Sequence, residues 1–199
     1  MKWKKYGCLQ PNIDRKDSGQ AVWVTGLFWV LLLAIVLHCQ LQMAAWHSAS
    51  VYMEDALAAS NLASALIDIE EYGKSHKVII RDIPMAYAVY REALRTNLQL
   101  DGNGYCAGSA LFEGPVQVVD YIIYNVDGNV VETVQLDSLG QVVLREKGIK
   151  GTVLSPDGNV IEQTGVYSEL KFAVTGFPGV EIEACKGKLV DIVPQEGVE

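Results

Sequence analysis

The sequence predicts an α+β protein: an N-terminal transmembrane helix continuing into a long extracytoplasmic helix, a second helix, then a C-terminal antiparallel β-sheet. Three observations carry this. Residues 21–37 (AVWVTGLFWVLLLAIVL) are seventeen uncharged residues, and a helix needs about 17–25 mostly apolar residues to cross a bilayer core. Residues 40–72 contain neither proline nor glycine. From Gly114 onward the hydrophobic period shifts from helical to two, the period of a half-buried strand.

The charge distribution orients the span. Up to Cys39 there are five Lys/Arg against two Asp/Glu; from Gln40 onward 11 Lys/Arg face 22 Asp/Glu, an excess of −11. Lys2, Lys4, Lys5, Arg15 and Lys16 precede the apolar run, and no Lys or Arg follows it until Lys74. This bias places the N-terminus in the cytoplasm and the acidic bulk outside. An acidic exterior argues against a nucleic-acid partner, since phosphate binding needs clustered cations. The apolar core exceeds the roughly 7–15 residues of a secretory signal, so the span is expected to be retained. The expected organisation is a cytoplasmic basic leader (1–19), a transmembrane helix (20–40), an extracytoplasmic helical region (41–110) and an antiparallel β domain (111–199).

In the leader, Trp3 and Tyr6 suit the membrane interface. Residues 20–72 read as one helix, rich in Ala and Leu, with Gly73 as its stop. In its second half Val51, Leu62, Leu66 and Ile69 share an apolar stripe, which calls either for the protein's own exterior domain or for helix packing between copies, favoured by the many Ala and Ser. A second helix is signalled by Asp82 as N-cap and Pro84 in the first turn. Ala86, Val89, Tyr90, Ala93 and Leu94 then follow at helical spacing, with Arg91 and Arg95 on the solvated side. Residues 101–104 (DGNG) are a turn; they lack the later glycine and glutamate of a calcium loop.

Residues 116–124 (VQVVDYIIY) read as a strand, joined through Asp127 and Gly128 to a strand over 130–136. Asp157 and Gly158 repeat the device between 152–155 and 160–164. Residues 166–174 alternate cleanly, and 180–185 and 189–193 form a last pair across Lys186 and Gly187. The expected sheet has about six strands, its apolar face covered by the preceding helices.

Chemistry is sparse. His38, His47 and His76 have no partner at metal-ligand spacing, and HExxH, GxSxG and GxxxxGK[ST] motifs are absent from the sequence. Glu181 and Glu183 share one strand face, where glutamates are usually solvated. No catalytic residue, metal or cofactor is therefore assigned, and the protein is not read as an enzyme. Cys8 falls on the cytoplasmic side and Cys39 near the outer end of the span. Cys106 and Cys185 both fall in the exterior region, where a disulfide is permitted; two buried free thiols are the alternative.

A basic leader, Gly19, then at once a hydrophobic segment running into a long exterior helix and a small β-rich domain resembles a type IV pilin or pseudopilin. The start at Ser18, Gly19, Gln20 and Ala21 is similar to that of TadE-like pseudopilins of tight-adherence pili. That resemblance implies a pilin-like fold, cleavage after Gly19 by a prepilin peptidase and Gln20 as the new N-terminus. It also implies assembly with other pilin-like or secretion-apparatus subunits. At the fifth mature position, where pilins carry glutamate, this chain has Val24. The other reading is a signal-anchored exterior module that binds a ligand or serves a membrane complex.

Overall fold

The structure, a computed structural model, describes residues 17–107, 112–176 and 180–193. Most of the expected leader, with Trp3, Tyr6 and Cys8, lies outside the described residues, as does the expected boundary at residues 110–111. The chain falls into two compact units divided between Met43 and Ala44, and helix α1 (Asp17–Ser64) contributes to both. In the first unit, residues 22–41 of α1 are exposed along their whole length.

The second unit is α+β. Its sheet is antiparallel throughout, in the order β3-β2-β1-β4-β5. The strands are β1 (Phe112–Asp127), β2 (Val130–Leu136), β3 (Val142–Ile149), β4 (Gly165–Thr175) and β5 (Glu181–Asp191). One face carries the main core. Met53 and Leu57 of α1, Ile80, and Tyr87, Tyr90 and Leu94 of α3 (Ile83–Asn97) meet Tyr121 and Ile123 of β1, Val134 of β2, and Val166 and Leu170 of β4. Each such side chain gains about 1.5–3 kcal/mol from leaving water. A smaller cluster lies on the opposite face, where Ile161 and Val153 cover Ile122, Tyr124, Val131 and Tyr167.

Strand β1 alternates between the two faces, and its parity changes part-way along. The register against β4 shifts between Val118 and Asp120, leaving Val119 as an extra residue. Val118 before this bulge and Tyr121 and Ile123 after it all reach the helix side.

Helix α3 starts as expected: the Asp82 carboxylate accepts from the Met85 amide at 3.0 Å, and Pro84 sits in the first turn. The expected single helix over 20–72 does not form. Helix α1 ends at Ser64, and a separate α2 (Ile69–Ser75) follows. Two local interactions end the first helix. Ser64 Oγ turns back to the Asn61 carbonyl at 2.8 Å, and Asp68, in an extended conformation, caps α2 by accepting from the Glu71 amide at 3.0 Å. An aspartate that can satisfy backbone donors as an N-cap favours a new start over a helix interior. Nor does Gly73 stop the helix; His76 does, in the left-handed region at φ 56° with its amide bonded to the Tyr72 carbonyl.

The sheet has five strands rather than six. The Asp157 and Gly158 turn is present, with Gly158 at φ 83°, but its arms make only the bridge between Leu154 and Val160, because Val153 and Ile161 fold down onto the outer face instead of extending a ladder. Residues 181–191 form one strand, not two. Gly187 lies inside β5, where Tyr167 crosses it closely: a Cβ there would stand 2.8 Å from Cζ of that ring. A strand glycine marks close approach as readily as a turn. Strand β3, absent from the sequence reading, is an exposed edge.

The stripe of Val51, Leu62, Leu66 and Ile69 is exposed; the face of α1 that is buried carries Ala49, Met53, Ala56, Leu57, Ser60, Asn61 and Ser64. Two substitutions separate these faces. Leu57→Ala should lower the unfolding free energy by about 2–5 kcal/mol. Leu62→Ala should change it by less than about 0.5 kcal/mol. Chemical denaturation of the two variants, followed by far-UV circular dichroism, measures both.

Candidate functional site

Val22 to Leu37 present Trp23, Leu27, Phe28, Trp29, Leu31 and Ile35 on all sides of α1, each more than half exposed. A helix satisfies its own backbone donors and acceptors, so an all-round apolar helix can enter hydrocarbon without leaving polar groups unpaired. Among the described residues, the helical run Val22–Ser64 alone is long and apolar enough to cross a membrane. Gly19 lies in the first turn of α1 and is exposed, with open space where a Cβ would be.

Further along, the same helix becomes polar on its buried side. Asn61 is fully buried, and both ends of its amide are used: Nδ2 donates to the Lys188 carbonyl of β5 at 2.8 Å, and Oδ1 accepts from Ser168 Oγ of β4 at 2.7 Å. Tyr121 Oη of β1 donates to Ser64 Oγ at 2.9 Å. On the α3 side, Asn97 Nδ2 donates to Ser60 Oγ at 3.2 Å and Tyr52 Oη to the Asn97 carbonyl at 2.9 Å. Buried polar groups are costly unless paired, so this seam favours one axial and rotational setting of the helix. The Tyr90 hydroxyl is buried close to Ser168. Burial raises its pKa strongly, and its ring lies 4.6 Å from that of Tyr121.

At the edge of the seam, Glu54 meets two cations. Its Oε1 lies 2.7 Å from Lys188 Nζ and its Oε2 2.9 Å from Lys186 Nζ. Hydrogen bonds from Lys188 and Lys186 hold its carboxyl down at about 2. These three residues escaped the sequence reading because Lys186 and Lys188 flank a glycine that resembles a turn. The signal that was present is Ser60, Asn61 and Ser64 falling on the same face as Met53 and Leu57.

Of the two alternatives for Cys106 and Cys185, the disulfide is not formed; Cys39, Cys106 and Cys185 are free, though Cys185 is exposed rather than buried. Cys106 packs against the helix-side core. Cys185 pairs in register with Lys171, on the opposite face from Phe172 and Ala184, and is exposed. Side chains whose Cβ vectors point to opposite sides of a sheet cannot be bridged without moving the backbone. Among the described residues, no group of three or more His, Cys, Asp or Glu could hold a metal. The Asp101 carboxylate instead closes its own turn, accepting from the Asn103 and Tyr105 amides at 2.8 and 2.9 Å. Glu183 pairs with Lys171 at 2.8 Å.

The sign of the Glu54 effect follows from its depressed pKa. Its stabilising contribution is complete above the ordinary value of 4.5 and is lost as pH falls toward 2. Because the carboxylate is partly solvated, the loss is about 1 kcal/mol. Denaturant titrations at pH 5 and pH 2.5 should therefore show the wild type losing about 1 kcal/mol more than Glu54→Gln.

No family model, curated protein or solved structure matches the chain.

Proposed function

We propose that the protein is a structural, pseudopilin-like component of a surface pilus or secretion apparatus, working through helix packing in the membrane and in a filament. In this reading it crosses the membrane once, with the N-terminus in the cytoplasm and the α+β unit outside. Its partners are membrane lipid, other pilin-like or secretion-apparatus subunits, and the prepilin peptidase that cuts between Gly19 and Gln20.

The observation that carries the reading is the division of labour along α1. The helix presents a lipid-compatible surface over 22–37, then commits one face to the core of its own domain. Its other face stays bare, with Val51 at 43% and Leu62 at 62% exposure. An anchored binding module needs only a linker after its span, whereas a helix that assembles with copies of itself needs a second usable face. Small exposed residues beside these positions, Ala59 and Ala63 among them, allow close backbone approach. Cleavage after Gly19 would remove the basic leader that holds the helix in place and let it move sideways into an assembly.

The second reading, a signal-anchored exterior module, is favoured by Val24, which offers no carboxylate to pair with a neighbour's N-terminal amine. The intact mass of the protein purified from its native membrane separates the two. A species beginning at Gln20 is the expected result. A chain still carrying the leader through Gly19 contradicts prepilin-type processing and leaves the permanently anchored module.

A further inference from the structure

On the face of the sheet turned away from α1 and α3, two carboxylates are set directly against each other. The bulge at Val119 brings Asp120 of β1 into register with Glu169 of β4, and both side chains are half-buried. Residues directly opposite on neighbouring strands have Cβ atoms about 4.5–5.5 Å apart, and like charges in that relation destabilise a sheet. The sheet nevertheless holds the pair in place. Gln135 Nε2 donates to Asp120 Oδ1 at 2.7 Å, and Tyr167 Oη donates to Glu169 Oε2 at 3.3 Å. A bulge re-aims a side chain, and bulges concentrate beside functional sites.

A third acid joins them. Asp157 stands in the turn over this face, its carboxylate bonded to the uncharged Ser155 Oγ and Asn159 Nδ2. None of the three carboxylates pairs with a cation among the described residues. The cation beside them on β4, Lys171, is engaged by Glu183 at 2.8 Å. Tyr124 looks into the same spot. It is 2% exposed, and its hydroxyl makes no hydrogen bond among the described residues. Burial, then the charges of Asp157 and Asp120, push its pKa up to about 12, which sets that hydroxyl near both carboxylates. Burial, then Glu169 and Asp157, raise Tyr167 in the same way. Among the described residues, no acids are grouped to hold a metal ion, so the cation that suits this spot is an organic one.

We propose that Asp120 and Glu169 together receive an arginine side chain from a basic segment of a partner protein, with the Tyr124 hydroxyl accepting a further hydrogen bond from the guanidinium. A guanidinium is planar and carries five donors, so it can bridge two carboxylates and still reach a third acceptor; an ammonium is a point charge and cannot do this as well. Its arrival replaces a repulsion inside the sheet with charge-assisted hydrogen bonds. The proposal rests on the register and charge of the outer face, and stands apart from whether the leader is cleaved.

The test uses the full chain in lipid nanodiscs and a fluorescein-labelled hexapeptide of alternating arginine and serine, followed by fluorescence anisotropy against empty nanodiscs. Saturable binding is expected. It should weaken about tenfold in the double variant Asp120→Asn, Glu169→Gln. It should be unchanged in Asp55→Asn, Glu70→Gln, which removes the same charge from exposed helical positions. Asn and Gln accept the same hydrogen bonds, so the outer-face variant should keep or raise the wild-type thermal transition; Glu169→Gln alone, with a smaller loss, serves as the second variant. Absence of saturable binding overturns the proposal. So does equal weakening by the two double variants, or equal affinity for a peptide in which citrulline replaces arginine. Displacement of the peptide by calcium beyond the effect of sodium at equal ionic strength also overturns it, by assigning the carboxylates to a metal ion.

Discussion

The α+β unit depends on the seam where α1 lies against strands β1, β4 and β5. Leu57 and Met53 supply apolar area to that seam, but area alone would tolerate a helix that slid or rotated. Asn61 does not. Its amide bridges a backbone carbonyl of β5 and a hydroxyl of β4, and displacing it would leave buried groups on three elements unpaired, at about 1–3 kcal/mol each. Glu54, clamped by Lys186 and Lys188, adds a charged anchor one to two turns earlier. The sheet is in turn held by the helix, since Tyr121, Val166 and Leu170 are buried beneath α1 and α3.

Much of this was legible in the sequence, and the parts that were not have physical causes. The apolar run, the Asp82 cap and the alternation of residues 166–174 are signals of local chemistry, and local chemistry settles them. The end of α1 was not legible, because residues 65–68 (ALID) are acceptable helix formers; only the competing cap at Asp68 and the back-turned Ser64 hydroxyl mark the break. Gly187 misled for the opposite reason. Its small size serves contact with Tyr167, a constraint that exists only once β4 and β5 are paired. Strand β3 was missed because an exposed edge has no buried face to impose alternation.

The seam was hidden in a similar way. Helical periodicity pointed to the large apolar residues Val51 and Leu62, yet the sheet selects the face bearing Ala49, Ala56, Ser60 and Ser64, whose small side chains let the helix approach and whose hydroxyls find partners there. Met53 and Leu57 are the large residues of that face, while Val51 and Leu62 stay outside.

One helix carries an all-round apolar surface along residues 22–37 and packs into the core of the α+β unit along residues 49–64. Hydrogen–deuterium exchange on the full chain in lipid nanodiscs measures the second of these directly. Amides of residues 53–64 should exchange as slowly as those of Val166 and Leu170 in β4, because they open only when the whole unit unfolds. Exchange of residues 53–64 at the rate of a frayed linker, with β4 still protected, would contradict it.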